Sequence, residues 1–285
     1  MQNRLIAWYR QSGRDLPWRR TRDPYRILVA EVMLQQTQVD RVLPKYAQWL
    51  EAFPTLSALA EAPAAEVIRM WAPLGYNSRA VRLQQIARQC GGMLPVTFEG
   101  LLALKGIGRY TAGAIACYAY EQQVAFWDTN VRRTLTRMFS GPDPLSEYEL
   151  EALAEEAMPE GQAYDWHQAL MDLGATICLS RNPRCDRCPV MDVCAAQPAV
   201  LFREPRPRML AERKLPYVAQ PFETTDRYFR GRIVDALRTE SPLSVSRLPK
   251  LLGRDEPPWL EGLLAALQKD GLLVRPAVDW IALPS

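Results

Sequence analysis

At 285 residues the chain has room for about two domains. Its 48% hydrophobic and 24% charged residues can build buried cores, which excludes wholesale disorder, collagen and a coiled coil. A net charge of +3 says little about a polyanionic partner, and the single histidine, His167, excludes histidine-rich metal sites and chemistry that needs two imidazoles.

The first residues, MQNRLIAWYRQSGRDLPW, contain no apolar block ending in a small-residue cleavage site, so export is not expected. No apolar run reaches the ~18 residues needed to span a bilayer. A cytoplasmic protein is the expectation. The small net charge also hides a division. Residues 1–137 carry 18 Lys and Arg against 10 Asp and Glu, whereas residues 138–177 carry nine acidic residues and no Lys or Arg. The acidic stretch, EYELEALAEEAMPEG, reads as a solvated helix face. The basic excess suits either a soluble surface or a nucleic-acid partner.

Residues 1–198 read as mostly helical. Apolar positions recur at three- and four-residue spacing over 27–50, 65–90, 98–120 and 129–139. Short breaks carry Pro or Gly, as at Pro54, Pro63, Gly75, Gly91-Gly92 and Gly141-Pro142.

Within this array, Leu104-Lys105-Gly106-Ile107-Gly108-Arg109-Tyr110-Thr111 joins two helical patterns. Two glycines two apart make a tight turn. They also let backbone N–H groups approach an anion at the start of the next helix. Such a helix–hairpin–helix holds DNA backbone without reading sequence. Asp128 follows the apolar run Val124–Trp127 and precedes a new helix. It is either an N-cap or a carboxylate facing a sugar carbon, where its charge stabilises an oxocarbenium ion.

Cys178, Cys185, Cys188 and Cys194 form a C-x6-C-x2-C-x5-C pattern. Thiolates suit zinc or iron–sulfur centres, and this uneven spacing favours a 4Fe–4S cubane over the paired knuckles of zinc. Cys90 and Cys117 lie on apolar helical faces and read as buried, inert thiols. Residues 199–222 form a Pro- and Arg-rich linker. Beyond it, Thr225-Asp226 predicts a helix over 227–239, Ser244 one to about 252, and Pro257-Pro258 one to about 269. LLVRPAVDWIAL then alternates like a hairpin, so 223–285 reads as winged-helix-like.

Taken together these segments resemble the helix–hairpin–helix DNA glycosylases of the endonuclease III type. The match is closest to the adenine mismatch glycosylases of the MutY type and covers roughly residues 4–198. It rests on Leu16-Pro17-Trp18, Glu31–Val39 (EVMLQQTQV), Leu74-Gly75-Tyr76, the Gly106–Ala114 hairpin, Asp128–Val131, Met171–Ala175 and the four cysteines. The resemblance implies an all-α fold with an iron–sulfur loop at 178–194 holding a 4Fe–4S cluster. It implies a monomer acting on double-stranded DNA that contains a mismatch or oxidised guanine, associated with the bacterial nucleoid through that DNA. The base excised is adenine opposite 8-oxoguanine or guanine, flipped out of the stack.

By the same resemblance Glu31 is the general acid, a role that needs burial to keep its proton. Read without the family, Glu31 is either a surface position on the helix or a cleft carboxylate among Val29, Ala30, Val32 and Met33. Asp128 stabilises the sugar cation, and Asn130 and Tyr110 position the reacting groups. Gln35, Gln36 and Thr37 contact the base opposite the lesion, and Tyr76 inserts beside it. Gly106, Gly108, Arg109 and Thr111 hold phosphate. The bifunctional branch has a Schiff-base lysine where this chain has Tyr110, which implies little or no lyase activity. Asn77 replaces the family's usual second Tyr, and the C-terminal segment is too short for the β-rich domain that many relatives carry. The alternatives are a thymine or uracil mismatch glycosylase and, less favoured, a non-catalytic iron–sulfur DNA-binding protein.

Overall fold

The computed structural model describes residues 1–197 and 221–285. The predicted linker, 199–222, therefore lies almost wholly outside the described residues. In chain order the helices are α1 Gln2–Ser12, α2 Pro24–Leu34, α3 Val39–Ala52, α4 Leu56–Glu61, α5 Ala64–Met70, α6 Ser78–Gln89, α7 Phe98–Leu102, α8 Arg109–Tyr120, α9 Thr129–Leu135, α10 Glu147–Glu156 and α11 Ala163–Thr176. After the undescribed segment come α12 Asp226–Thr239, β1 Leu243–Ser244, α13 Leu248–Leu252, α14 Pro257–Lys269, β2 Val274–Ala277 and β3 Trp280–Ala282. The mostly helical expectation is met.

Among the described residues these elements sort into two compact units that do not follow chain order: 1–28, 95–103 and 107–197, and then 29–94, 104–106 and 221–285. In the first unit, α11 packs on α1 and α9. Leu5, Val131, Leu135, Leu150, Trp166, Leu170, Leu173 and Val190 form its core. Each such side chain, fully buried, contributes about 1.5–3 kcal/mol. The acidic stretch is the helix α10, started by a capping box in which Ser146 and Glu149 exchange hydrogen bonds. Only Leu150 and Ala154 of α10 are buried, so its carboxylates do face outward as expected.

In the second unit, Ile233, Val234, Leu237, Leu248, Leu264, Leu267 and Ile281 close a core that also takes Ile68 of α5. Trp49 packs edge-on against both Phe53 and Trp71, at 4.9 and 5.4 Å between ring centroids. The C-terminal hairpin is present, with Val274 opposite Ala282 and Ala277 opposite Trp280. A third, very short strand pairs Leu243 with Ile281, giving the antiparallel order β1-β3-β2. Two residues of strand carry no alternation, so this element left no trace in the pattern.

Three details depart from the sequence reading. The helical stretch over 27–50 is two helices, broken at residues 35–38 where Gln36 takes φ 55°. Thr225 caps α12 by accepting from the Tyr228 N–H, but Ser244 makes no side-chain cap; a short 3-10 turn separates it from α13. Cys117 is buried as expected, whereas Cys90 sits half-buried at the C-terminal end of α6.

Candidate active site

Glu31 lies in α2 between residues that are almost fully buried: Ile27, Leu28, Val29, Ala30, Val32 and Met33. It is itself only 8% exposed, so the surface alternative is excluded. The helix stops at Leu34, and Gln35, Gln36 and Thr37 follow in the break before α3.

That break is tied to a second loop by one side chain, Arg79 of α6. Its guanidinium donates to the carbonyls of Val32, Met33 and Gln35 at 3.0, 2.9 and 2.5 Å and to the Thr37 hydroxyl at 3.0 Å. It also donates to the Leu74 and Gly75 carbonyls at 3.4 and 3.1 Å. Burial, followed by the like charge of Arg82, lowers the Arg79 pKa to about 10. Carbonyl dipoles hold this cation. Arg82 donates to the Gln35 side-chain oxygen. The structure thus brings Gln35, Gln36, Thr37 and Tyr76 together around Arg79. Tyr76 is 39% exposed, and both it and Gln36 adopt positive φ, 45° and 55°. Arg79 was not singled out in the sequence. The available signal was a basic residue set among the inward-facing Ala80 and Leu83.

The hairpin forms between α7 and α8. Gly106 takes φ 102°, and a Cβ there would come within 2.8 Å of the Arg82 side chain, so glycine is required. Ile107 anchors the turn in the interior. Gln89 exchanges two hydrogen bonds with the Lys105 main chain, at 3.0 and 3.1 Å. Gly108 starts α8 with no side-chain cap, which leaves the dipole-positive end for an anion. Arg109 lies over the rings of Phe98 and Trp127 and pairs with Glu151 of α10. Thr111 is 5% exposed. Tyr110 packs edge-on against Phe126, 5.6 Å between centroids.

Asp128 caps α9. Its Oδ1 accepts from the N–H groups of Asn130 and Val131, both at 2.8 Å, and its Oδ2 accepts from the Asn130 side-chain amide at 3.0 Å. Arg133 in turn donates to the Asn130 Oδ1 at 2.9 Å. The sequence Met171–Ala175 supports this group from α11. A Cβ on Gly174 would come within 2.8 Å of the Asn130 Cβ, so only glycine lets α9 approach so closely. Asp172, 1% exposed, accepts from the Arg14 N–H and from the Arg14 and Arg19 guanidiniums at 2.7–2.9 Å. Burial pushes its pKa up, but the bonds and charge of Arg19, with help from Arg14, hold it below the ordinary value.

The four cysteines of 178–194 line one cavity with Arg137, Met138, Leu173, Ile177 and Met191. Among the described residues no three Cys, His, Asp or Glu side chains converge on a single-ion site. Four thiols lining one cavity are a donor set that suits an iron–sulfur cluster. Arg137 donates to the Cys178 sulfur at 3.5 Å. Main-chain N–H groups at Val190, Ala196 and Gln197 serve Cys188 and Cys194. Burial pushes the Cys188 thiol up to about 11, so its thiolate needs a cationic centre to compensate.

Comparison with known proteins identifies the family of the chain. The family model of the HhH-GPD superfamily base excision DNA repair proteins matches residues 29–160. The adenine DNA glycosylase of Mycolicibacterium smegmatis is 40% identical over 98% of this chain and 94% of its own length. The chain belongs to the adenine DNA glycosylase family of that superfamily. The human adenine DNA glycosylase is 45% identical over 69% of this chain, which spans 39% of that longer protein. A thermostable thymine-DNA glycosylase superposes with TM-score 0.65 at 31% identity, covering 69% of this chain and 94% of that one. An endonuclease III–DNA complex shares the fold, with TM-score 0.62 at 20% identity over 71% of this chain and 95% of that one. The model for the iron-sulfur binding domain of endonuclease III matches residues 178–194, so the cysteine loop is an iron–sulfur loop and its cofactor a 4Fe–4S cluster. Members of this family are DNA glycosylases, and DNA is the substrate. Among the described residues no helix is long and apolar enough to cross a membrane.

Proposed function

We propose that this chain releases adenine mispaired with 8-oxoguanine or guanine in double-stranded DNA, as a monomer working on the nucleoid. The observation that carries the reading is the near full-length similarity to adenine DNA glycosylases. In this reading the buried Glu31 donates its proton to a ring nitrogen of the flipped adenine as the C1′–N9 bond breaks. The leaving base departs with the bonding electron pair. Asp128, held by its three hydrogen bonds, faces the sugar and stabilises the oxocarbenium ion. Asn130 and Tyr110 position these groups. Glu31, now a carboxylate, accepts a proton from the water that adds to C1′. Gln35, Gln36, Thr37 and Tyr76 meet the opposite base, and Gly106, Gly108, Arg109 and Thr111 hold phosphate. When bound, the 4Fe–4S cluster supplies folding energy to its loop, whose Arg181, Arg184 and Arg187 then face phosphate.

Tyr110 has no amine, so no Schiff base forms at that position and little or no lyase activity is expected. Residues 223–285 are read as a winged-helix-like domain, in a chain organised as 1–198, a linker over 199–222, and 223–285. Removal of thymine or uracil opposite guanine is the second reading, favoured by the 31% identity to a thymine-DNA glycosylase. Single-turnover assays on A:8-oxoG, A:G, T:G and U:G duplexes, with and without alkali, test both. Adenine release with strand scission only after alkali is expected. Cleavage confined to T:G or U:G overturns the adenine reading, and scission without alkali overturns the monofunctional one.

A further inference from the structure

The helix α12 grips the loop that carries Tyr76. Arg227, in its first turn, donates to the Tyr76 hydroxyl at 2.5 Å. The Arg227 guanidinium lies 5.1 Å from the centroid of the Tyr76 ring and 4.9 Å from that of Phe222. On the same helix, Arg238 donates to the Asn77 side-chain oxygen at 2.9 Å and to the Ile68 carbonyl at 3.0 Å. Eleven residues separate the two arginines, about three helical turns, so both lie on one face. Asn77, which departs from the family's usual tyrosine, accepts from an Arg238 that also pairs with Asp235 of its own helix. Tyr76 is half-exposed and held at φ 45°, a conformation that a bulky residue keeps only when its surroundings impose it. Tyr76 and Arg227 also line a cleft with Gln36, Arg41, Asn77 and Phe222.

We propose that Arg227 is a positioning residue for DNA engagement. It holds Tyr76 in the pose from which the ring enters the duplex, making the segment after residue 221 a working part of the mispair-binding surface. The proposal rests on the reading above, in which Tyr76 inserts beside the opposite base. A preset ring loses less conformational freedom on insertion, so affinity gains.

The test uses the full-length, cluster-loaded protein. The probe is a duplex with 2′-fluoro-2′-deoxyadenosine, which resists cleavage, opposite 8-oxoguanine, and 2-aminopurine next to the oxidised guanine. Arg227→Ala should weaken binding about five- to tenfold and reduce the 2-aminopurine fluorescence rise. Arg227→Lys should restore part of both. In a Tyr76→Ala background, Arg227→Ala should add almost nothing. The salt dependence of binding should stay unchanged, because Arg227 acts on Tyr76 and not on phosphate. Wild-type behaviour of Arg227→Ala overturns the proposal. So does an equal loss in both backgrounds, a salt slope reduced by about one, or tighter binding, the mark of a contact that restrains Tyr76. If Tyr76→Ala alone binds and reports like wild type, the reading of Tyr76 fails and the proposal falls with it. A large effect of Tyr76→Ala with none from Arg227→Ala removes only the proposal.

Discussion

The side-chain amide of Asn130 donates to Oδ2 of Asp128 at 3.0 Å, while Oδ1 of the same carboxylate closes the first turn of α9. The sequence offered a helix cap and a catalytic carboxylate as competing readings of Asp128. The geometry makes them compatible, because the bonds that cap the helix also aim the carboxylate.

That compatibility separates stability from chemistry. Asparagine caps helices about as well as aspartate. Asp128→Asn should therefore unfold within ~0.5 kcal/mol of wild type in urea, yet lose about a hundredfold or more in single-turnover adenine release. Full activity in this variant would remove Asp128 from the chemistry.

Gly174→Ala pushes against Asn130. The added methyl would sit 2.8 Å from the Asn130 Cβ, with the backbone of α9 behind it. A cost of about 1–3 kcal/mol in stability is expected. Displacement of Asn130 should also lower the catalytic rate more than DNA affinity, which single-turnover kinetics and binding to an uncleavable duplex would separate.

Arg79→Lys keeps the charge and loses the fork. One ammonium cannot reach the carbonyls of residues 32, 33, 35, 74 and 75 together. Affinity for mispaired DNA should fall at least about tenfold, with the visible absorption of the cluster unchanged, since unit 178–194 is not touched. Unchanged affinity would mean that the two loops hold their shape without this cation.

His167 sets a pH response of stability. Its ring stacks on Phe126 at 3.9 Å, one nitrogen lies 3.0 Å from the Val124 carbonyl, and burial drives its pKa down to about 4. The folded pKa is below the unfolded value of ~6.5, so the unfolded chain takes up the proton first. Its contribution is whole above pH ~6.5 and is lost progressively as pH falls towards 4. Between pH 7.5 and 5.5 denaturant titrations should register a loss of about 1 kcal/mol from this group. His167→Gln should be less stable at neutral pH and lack that increment. Chain-wide pH effects from carboxylates such as Asp172, whose depressed pKa costs stability only further into acid, fall outside the window.

Much was legible from local pattern. Helical periodicity, the caps at Thr225 and Asp128, the two-glycine turn and the four thiols are decided by residues within a few positions of one another. The physics is equally local: φ at Gly106, dipoles at a helix start, ligand spacing in a loop. Long-range partnership was not legible. Nothing near Arg79 in sequence indicates that one guanidinium organises residues 32–37 and 74–75, because its acceptors, the Thr37 hydroxyl aside, are backbone carbonyls that every residue has. The same holds for Arg238 and Asn77, separated by 161 positions, and for Gly174, whose need for a missing Cβ exists only because Asn130 packs there. Composition and motif determined which chemistry the chain carries. Close packing between distant segments decided which side chains aim it.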